Sequence, residues 1–123
     1  MPNTILDKFG AEFISGVRNE AIDEWSLILQ GKMKDAKSQS IFRELDALPS
    51  SCREFVEKYF HEVIDSTVFQ TMNFFEQAQD DIKLLVKSDS GEFVDIVVES
   101  DGLAGELFGE NGWIAKYGDG GRR

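Results

Sequence analysis

The spacing of apolar residues changes part-way along this 123-residue sequence, and the change limits what the chain can fold into. From Ser51 to about Gln79, apolar residues recur every three or four positions, which is typical of an amphipathic helix. Beyond Asp80 they alternate with polar residues, as in half-buried strands. The sequence therefore predicts a single α+β domain. Its expected parts are a helical part over about 4–79, an antiparallel β-meander over about 82–117 and a flexible tail over 118–123.

Three N-terminal helices are predicted, two of them long and one short. The first runs from about Thr4 to Gln30, and the short second helix stops at Pro49. The third begins with a capping box at Ser51 and Glu54. Because the apolar stripe of the third helix is wide, it must bury against a large surface, for which the first helix is the natural partner.

Two glycines interrupt the first helix. Gly10 and Gly16 each weaken a helix interior by roughly 1 kcal/mol relative to alanine. We therefore expect the helix to bend at these positions or to let another element approach closely.

The C-terminal part predicts a meander of three to four strands. Alternating residues mark strands around 82–86 and 94–98, and Ser88–Gly91 has the chemistry of the turn between them. Two further apolar segments, Leu103–Phe108 and Trp113–Tyr117, are separated by glycine-rich turn residues. We expect these segments to complete the sheet.

The net charge excludes some classes of partner. The chain carries 23 acidic side chains against 13 Lys and Arg, a formal net charge of −10, which repels phosphate backbones and anionic membranes. We expect neither nucleic acid nor a membrane as a partner. The balance is most uneven between Ser88 and Asp119, where Lys116 stands among the carboxylates of Asp89, Glu92, Asp95, Glu99, Asp101, Glu106, Glu110 and Asp119.

Targeting signals and cysteines bear on the cellular compartment. The N-terminal residues lack the basic segment and apolar run of an export signal, and no apolar run approaches the ~18 residues of a membrane span. Cys52 is the single cysteine, so neither an internal disulfide nor a multi-cysteine zinc site can form. These features predict a soluble, cytoplasmic protein.

Few residues are of the types that bind metals or act as nucleophiles. His61 faces Glu57 and Asp65 at i±4 spacing on the third helix, a row that would suit a divalent metal. We interpret this row as a solvated polar face, because the sequence has no second histidine. Cys52 lies on the apolar stripe, so we expect a buried, inert thiol rather than a reactive thiolate. No metal or other cofactor is predicted.

Two groups of carboxylates would suit acid–base chemistry if they lined a cleft. Glu20, Asp23 and Glu24 lie on the first helix, and Glu106 and Glu110 lie near the C-terminal turns. Solvation at the surface is the ordinary state of such groups. We therefore expect a binding protein rather than an enzyme.

Part of the sequence resembles known bacterial proteins. The segments Ser100–Leu107, Gly112–Tyr117 and Val63–Ser66 are similar to those of a group of small uncharacterised bacterial α+β proteins. In size, acidity and helix-then-sheet order, the chain is also similar to immunity proteins of bacterial toxin systems. The resemblance carries no catalytic signature, and it implies a protein that binds and blocks a toxin.

Two classes of function follow from these features. The first is a protein-binding module, such as an immunity protein that blocks a basic toxin, because concentrated negative charge steers a basic partner and aromatic side chains anchor it. The alternative is a small ligand-binding domain or enzyme with a carboxylate and histidine site between helices and sheet. An exposed part of the third helix would also suit a homodimer face. The residues predicted to contact the partner are Asp95, Glu99, Glu106, Glu110 and Trp113.

Overall fold

A computed structural model describes residues 4–118 and has a helix-rich α+β fold with one small sheet. The α-helices are α1 (Ile5–Phe13), α2 (Glu20–Leu29), α3 (Ala36–Asp46), α4 (Ser50–Gln77), α5 (Ile96–Glu99) and α6 (Trp113–Tyr117). A π-helical turn (Ile14–Asn19) joins α1 to α2, and a 3-10 turn (Ala104–Leu107) precedes α6. The strands are β1 (Leu85–Lys87) and β2 (Phe93–Asp95). Of the predicted flexible tail, all but Gly118 lies outside the described residues.

The prediction of three N-terminal helices is not matched, because the first is divided into α1, the π-helical turn and α2, and α3 and α4 follow. The N-terminus of α1 is capped, because Thr4 Oγ1 accepts a hydrogen bond from the backbone N–H of Asp7 at 3.0 Å. The predicted close approach at Gly10 is also confirmed, since a Cβ added there would overlap the indole of Trp113. Gly16 lies within the π-helical turn, where an added Cβ would meet no atom within 4 Å.

The second and third predicted helices correspond to α3 and α4. Asp35 caps α3 by accepting a hydrogen bond from the backbone N–H of Ser38 at 3.0 Å. The long periodic segment forms the 28-residue α4, as predicted. The predicted capping box of Ser51 and Glu54 is wrong, because α4 begins at Ser50 after Pro49 and has no side-chain cap.

The antiparallel pairing of two strands is confirmed, but the strands are shorter than predicted, residues 96–98 are helical, and the third and fourth strands are wrong. Strands β1 and β2 pair antiparallel, with Val86 opposite Val94. Strand β2 ends where Asp95 Oδ1 accepts hydrogen bonds from the backbone N–H groups of Val97 and Val98, which begins α5. The two segments predicted as further strands are the 3-10 turn and α6 instead. Their buried and half-buried apolar residues are spaced i, i+1 and i+4, which is a helical rather than an alternating pattern: Leu103, Ala104 and Leu107, then Trp113, Ile114 and Tyr117.

The main core lies at one end of α4. It forms where the C-terminal half of α4 meets the end of α1, the π-helical turn, α5 and the C-terminal turns. Within residues 4–118, no helix is both long and apolar enough to cross a membrane. The buried members of this core are Ile14, Val68, Met72, Ile96, Val97, Leu103, Ala104, Leu107 and Trp113.

Candidate protein-binding groove

Helix α4 presents its apolar residues on two different faces. In its C-terminal half, Val68 and Met72 are buried in the main core. In its N-terminal half, Phe55 is 64% exposed and Val63 is 66% exposed. At about 100° per residue, Val56 and Met72 lie on nearly opposite sides of the helix. The single wide stripe expected from the sequence is therefore two faces, of which the core covers only the C-terminal one.

The N-terminal apolar face of α4 and the adjoining side of α2 enclose a groove of about 280 Å³. Leu29 is buried within it, whereas Trp25 is 38% exposed. We call this surface the α2–α4 groove. Its lining residues are Trp25, Leu29, Val56, Phe60, Val63 and Ile64.

Two aromatic residues extend the apolar surface along α4. The rings of Phe55 and Tyr59 lie 4.7 Å apart between centroids, and Tyr59 is 42% exposed. The ammonium of Lys58 lies over the Tyr59 ring, 5.2 Å from its centroid. Aromatic groups that stand exposed on a helix are the residue types that most often anchor protein partners.

Two arginines hold α2 against α4, one at each end of α2. Arg18, in the π-helical turn, is buried, and its Nε lies 2.6 Å from Oδ1 of Asp65. Arg53, near the start of α4, donates a hydrogen bond from Nη2 to the backbone carbonyl of Leu29. Because both ends of α2 are fixed to α4, the groove exists before any partner arrives, which reduces the entropy lost on binding.

Acidic side chains lie near the groove but do not line it. Glu57 pairs with Arg53 at 3.7 Å. Glu62 is exposed and lies one helical turn after Tyr59, and no ion pair to it is formed within residues 4–118. At about 100° per residue, Glu20, Asp23 and Glu24 face away from the Trp25 and Leu29 side of α2, and they line a separate shallow depression of about 580 Å³ together with apolar residues.

The row of candidate metal ligands on α4 has other roles. Glu57 and Asp65 each pair with an arginine, as described above. The ring of His61 packs against that of Phe60, with centroids 4.2 Å apart. Over the part of the chain that the structure describes, no group of three or more His, Cys, Asp and Glu side chains is placed to hold a metal ion.

Cys52 is exposed, so its predicted burial is wrong. The prediction assumed that the whole apolar stripe of the third helix has a cover. The structure leaves the N-terminal part of that stripe open, and Cys52 lies in this part.

The five residues predicted to contact a partner lie in different environments. Trp113 is 1% exposed and belongs to the core, so its ring is not part of the surface. Asp95 is half-buried, caps α5 and lies 3.6 Å from Lys83. Glu99 and Glu110 are exposed.

Glu106, the fifth of these residues, is half-buried near other carboxylates. Burial raises the pKa of its carboxyl above the ordinary value of 4.5, and the negative charges of Asp7 and Asp101 raise it further, while Lys116 acts in the opposite direction. The same Lys116 forms an ion pair with Asp7 at 3.6 Å. Ionised Glu106 therefore lies in an unfavourable environment in the folded chain.

A larger and more polar cleft of about 630 Å³ lies between α1 and the turn of the hairpin. Lys8 and Asp89 pair across it at 3.9 Å, and the Asp89 side chain is fully exposed. Neither His61 nor Cys52 lines this cleft. Its walls carry the carboxylates of Asp7, Glu12 and Asp89.

Comparison with protein-family models, with curated proteins and with solved structures finds no match to this chain. The resemblance to immunity proteins therefore stays a prediction.

Sequence reasoning did not single out Trp25 and Val63 as surface residues. Both lie on stripes that were expected to cover each other, one on the first predicted helix and one on the third. The sequence does contain one sign of this exposure. At about 100° per residue, the apolar residues around Val56 and those around Met72 cannot lie on one face of a straight helix.

Proposed function

We propose that this chain is a protein-binding module and that the α2–α4 groove, with Phe55 and Tyr59, is its contact face. The observation that carries the proposal is the exposed apolar face on the N-terminal half of α4. Contiguous exposed apolar surface with polar borders marks protein interaction sites. Aromatic side chains such as Phe55, Tyr59 and Trp25 supply much of the binding energy at such sites.

The proposed partner carries a basic surface. The formal net charge of −10 supports this part of the proposal. Complementary charge raises the rate of association and disfavours acidic partners. Blocking a basic toxin, as immunity proteins do, is the specific form of the activity that we propose.

Two matched valines allow the contact face to be tested. Val63 in the groove is 66% exposed, and Val98 on α5 is 67% exposed, so Val63→Lys and Val98→Lys make the same chemical change at equal exposure. Val98 precedes Glu99, one of the contact residues predicted at the sheet end of the chain. The pair therefore distinguishes the groove from the surface that the sequence alone favoured.

The experiment immobilises the wild-type chain and both variants and exposes them to an extract of the source organism at low salt. We expect basic proteins to be retained by the wild type and by Val98→Lys, lost from Val63→Lys, and released at about 1 M salt, where charges are screened within about 3 Å. Equal retention by Val63→Lys contradicts the proposed face. Loss only from Val98→Lys places the contact at the sheet end instead.

The toxin-blocking form of the proposal has its own test. A retained basic protein is expressed in a host with and without this chain, and the growth of the host is measured. We expect growth arrest that the wild type relieves and Val63→Lys does not. A retained protein that is harmless to the host contradicts this form and leaves the binding function standing.

A further inference from the structure

We infer that α6 controls the α2–α4 groove, because its C-terminal end holds the π-helical turn and thereby positions α2 against α4. Asn19, the last residue of the turn, is the positioning residue. This inference rests on the proposed function, since it concerns the regulation of the same groove. Three observations carry it: a buried polar network, a close backbone approach at the end of α6 and the uncommon geometry of the turn.

The polar network joins α6, the turn and α4. Asn19 donates a hydrogen bond from Nδ2 to the backbone carbonyl of Tyr117 at 3.0 Å. Its Oδ1 accepts a hydrogen bond from Nη1 of Arg18 at 3.2 Å, and Nε of Arg18 donates to Asp65. Arg18 is 5% exposed and Asn19 is 8% exposed. Breaking a bond of this network therefore costs more than breaking a similar bond at the surface.

The end of α6 also approaches the turn through its backbone. A Cβ added at Gly118 would lie 2.6 Å from Nη1 of Arg18, the same nitrogen that donates to Asn19. At the start of α6, the indole of Trp113 packs against Gly10 of α1. Helix α6 is therefore held by α1 at one end and by the π-helical turn at the other.

The geometry of the turn makes such a contact important. π-Helical turns are rare and occur mostly as single turns inside α-helices. If residues 14–19 adopted α-helical geometry, Asn19 would rotate by up to about 100° about the axis, and its amide would leave the carbonyl of Tyr117. The hydrogen bond to α6 therefore favours the π-helical form.

The groove depends on the form that the turn adopts. Helix α2 begins directly after Asn19 and carries Trp25 and Leu29 of the groove lining. Leu29 is 3% exposed. Within residues 4–118, α2 contributes no residue to the main core. We therefore expect α2 to move away from α4 without unfolding that core, but only when the bond between Asn19 and Tyr117 breaks.

The experiment measures how readily the groove lining becomes accessible. Leu29→Cys is combined with Cys52→Ser, because the exposed thiol of Cys52 would itself react. The labelling rate of the introduced thiol then reports opening of the groove in the folded chain. Asn19→Ala removes the contact with α6. Val86→Ala is the control, because it shortens a half-buried side chain of β1 that packs against the main core and takes no part in the polar network.

We expect Asn19→Ala to raise the labelling rate of Leu29→Cys at least about tenfold, because opening no longer breaks a buried hydrogen bond. Val86→Ala should raise this rate by less than about threefold, since the loss of its core contacts is felt mainly in global unfolding. Urea unfolding of both variants separates this local effect from a general loss of stability.

A second pair of variants tests the contact from the side of α6. Gly118→Ala brings a methyl group against Arg18 and should raise the labelling rate as Asn19→Ala does. Gly105→Ala meets no atom within 4 Å and should leave the rate unchanged. If Asn19→Ala does not fold, this pair carries the same comparison.

Two outcomes would overturn the inference. Unchanged labelling in Asn19→Ala and Gly118→Ala would mean that α2 moves without breaking its contact with α6. Equal increases in Asn19→Ala and Val86→Ala, at equal losses of global stability, would mean that Leu29 is exposed only when the whole chain unfolds.

The inference and the proposed function fail in different ways, because labelling needs no partner. If proteins from the extract are retained through Val63 but Asn19→Ala does not change the labelling rate, the control by α6 is wrong and the binding module stands. If Asn19→Ala opens the groove but no retention depends on Val63, the control by α6 stands and the proposed function fails.

Discussion

Nε of Arg18 lies 2.6 Å from Oδ1 of Asp65, and this contact joins the π-helical turn to the middle of α4. Arg18 is 5% exposed, so its charge depends on Asp65 for compensation. Asp65 directly follows Ile64, which lines the α2–α4 groove. The contact therefore serves both the stability of the fold and the position of one wall of the groove.

Removing the carboxylate of Asp65 should destabilise the chain. Asp65→Asn leaves the guanidinium of Arg18 buried without an opposite charge, and we expect a loss of about 2–4 kcal/mol in the free energy of unfolding. Glu57→Gln is the control, because it breaks the more exposed pair with Arg53 and should cost less than about 1 kcal/mol. Urea unfolding measures both. Equal losses for the two variants would contradict a special role of the Arg18–Asp65 contact.

The two glycines of the first helix should respond oppositely to alanine. Gly10→Ala forces a methyl group into the indole of Trp113, and we expect it to cost about 1–3 kcal/mol despite the better helix propensity of alanine. Gly16→Ala meets no atom within 4 Å and should be neutral or stabilising by up to about 1 kcal/mol. Thermal unfolding compares the two. A stable Gly10→Ala variant would show that α6 does not pack against α1 in this way.

The two tryptophans should be distinguishable by fluorescence quenching. Trp113 is 1% exposed and Trp25 is 38% exposed, so acrylamide should quench the emission of Trp25 strongly and that of Trp113 weakly. Trp25→Phe should leave a blue-shifted emission that is resistant to quencher. Ready quenching in this variant would contradict the burial of Trp113.

Glu106 should make stability depend on pH. Because burial and neighbouring carboxylates raise its pKa in the folded chain, the folded state holds this proton more tightly than the unfolded state. The resulting stabilisation is present below the ordinary pKa of 4.5 and is lost as pH rises through the higher pKa of the folded state.

The variant Glu106→Gln tests this dependence. It should be more stable than the wild type at pH 7, with a difference that shrinks as the pH falls through the raised pKa and is smallest below about 4.5. Glu110→Gln is the matched control, because it removes the same charge from an exposed position and should change stability little. A difference between Glu106→Gln and the wild type that is the same at all pH values would contradict the raised pKa.

The sequence predicts the elements that have a long periodic pattern or two independent indications of their structure. The periodic segment that forms α4 is long enough to exclude a strand, and the hairpin is marked both by alternation and by the turn at Ser88–Gly91. The segments Leu103–Phe108 and Trp113–Tyr117 are short, and over so few residues helical and alternating spacing are hard to distinguish. Their conformation depends on packing against α1 and α4. These helices are distant in the sequence, so the local residue pattern does not reveal it.

The groove was not predictable for a different reason. Periodicity indicates which residues share a face, but it does not show whether another element covers that face. Periodicity alone favours mutual burial of the apolar residues around Trp25 and Val63, whereas the structure brings them together and leaves both side chains partly exposed. The acidic residues can be counted from the sequence, but where they lie relative to the exposed apolar residues of α2 and α4 depends on how these helices pack.

The π-helical turn between α1 and α2 sets how far α2 is rotated about the helix axis relative to α1. A π turn holds about one residue more than an α turn, so the residues after it lie about 100° behind the positions they would take in a regular helix of the same length. If residues 14–19 formed a regular helix without losing a residue, Trp25 and Leu29 would turn away from α4, while Gly10 kept its place against Trp113. The groove thus depends on a one-residue insertion whose effect is felt three turns further along the helix.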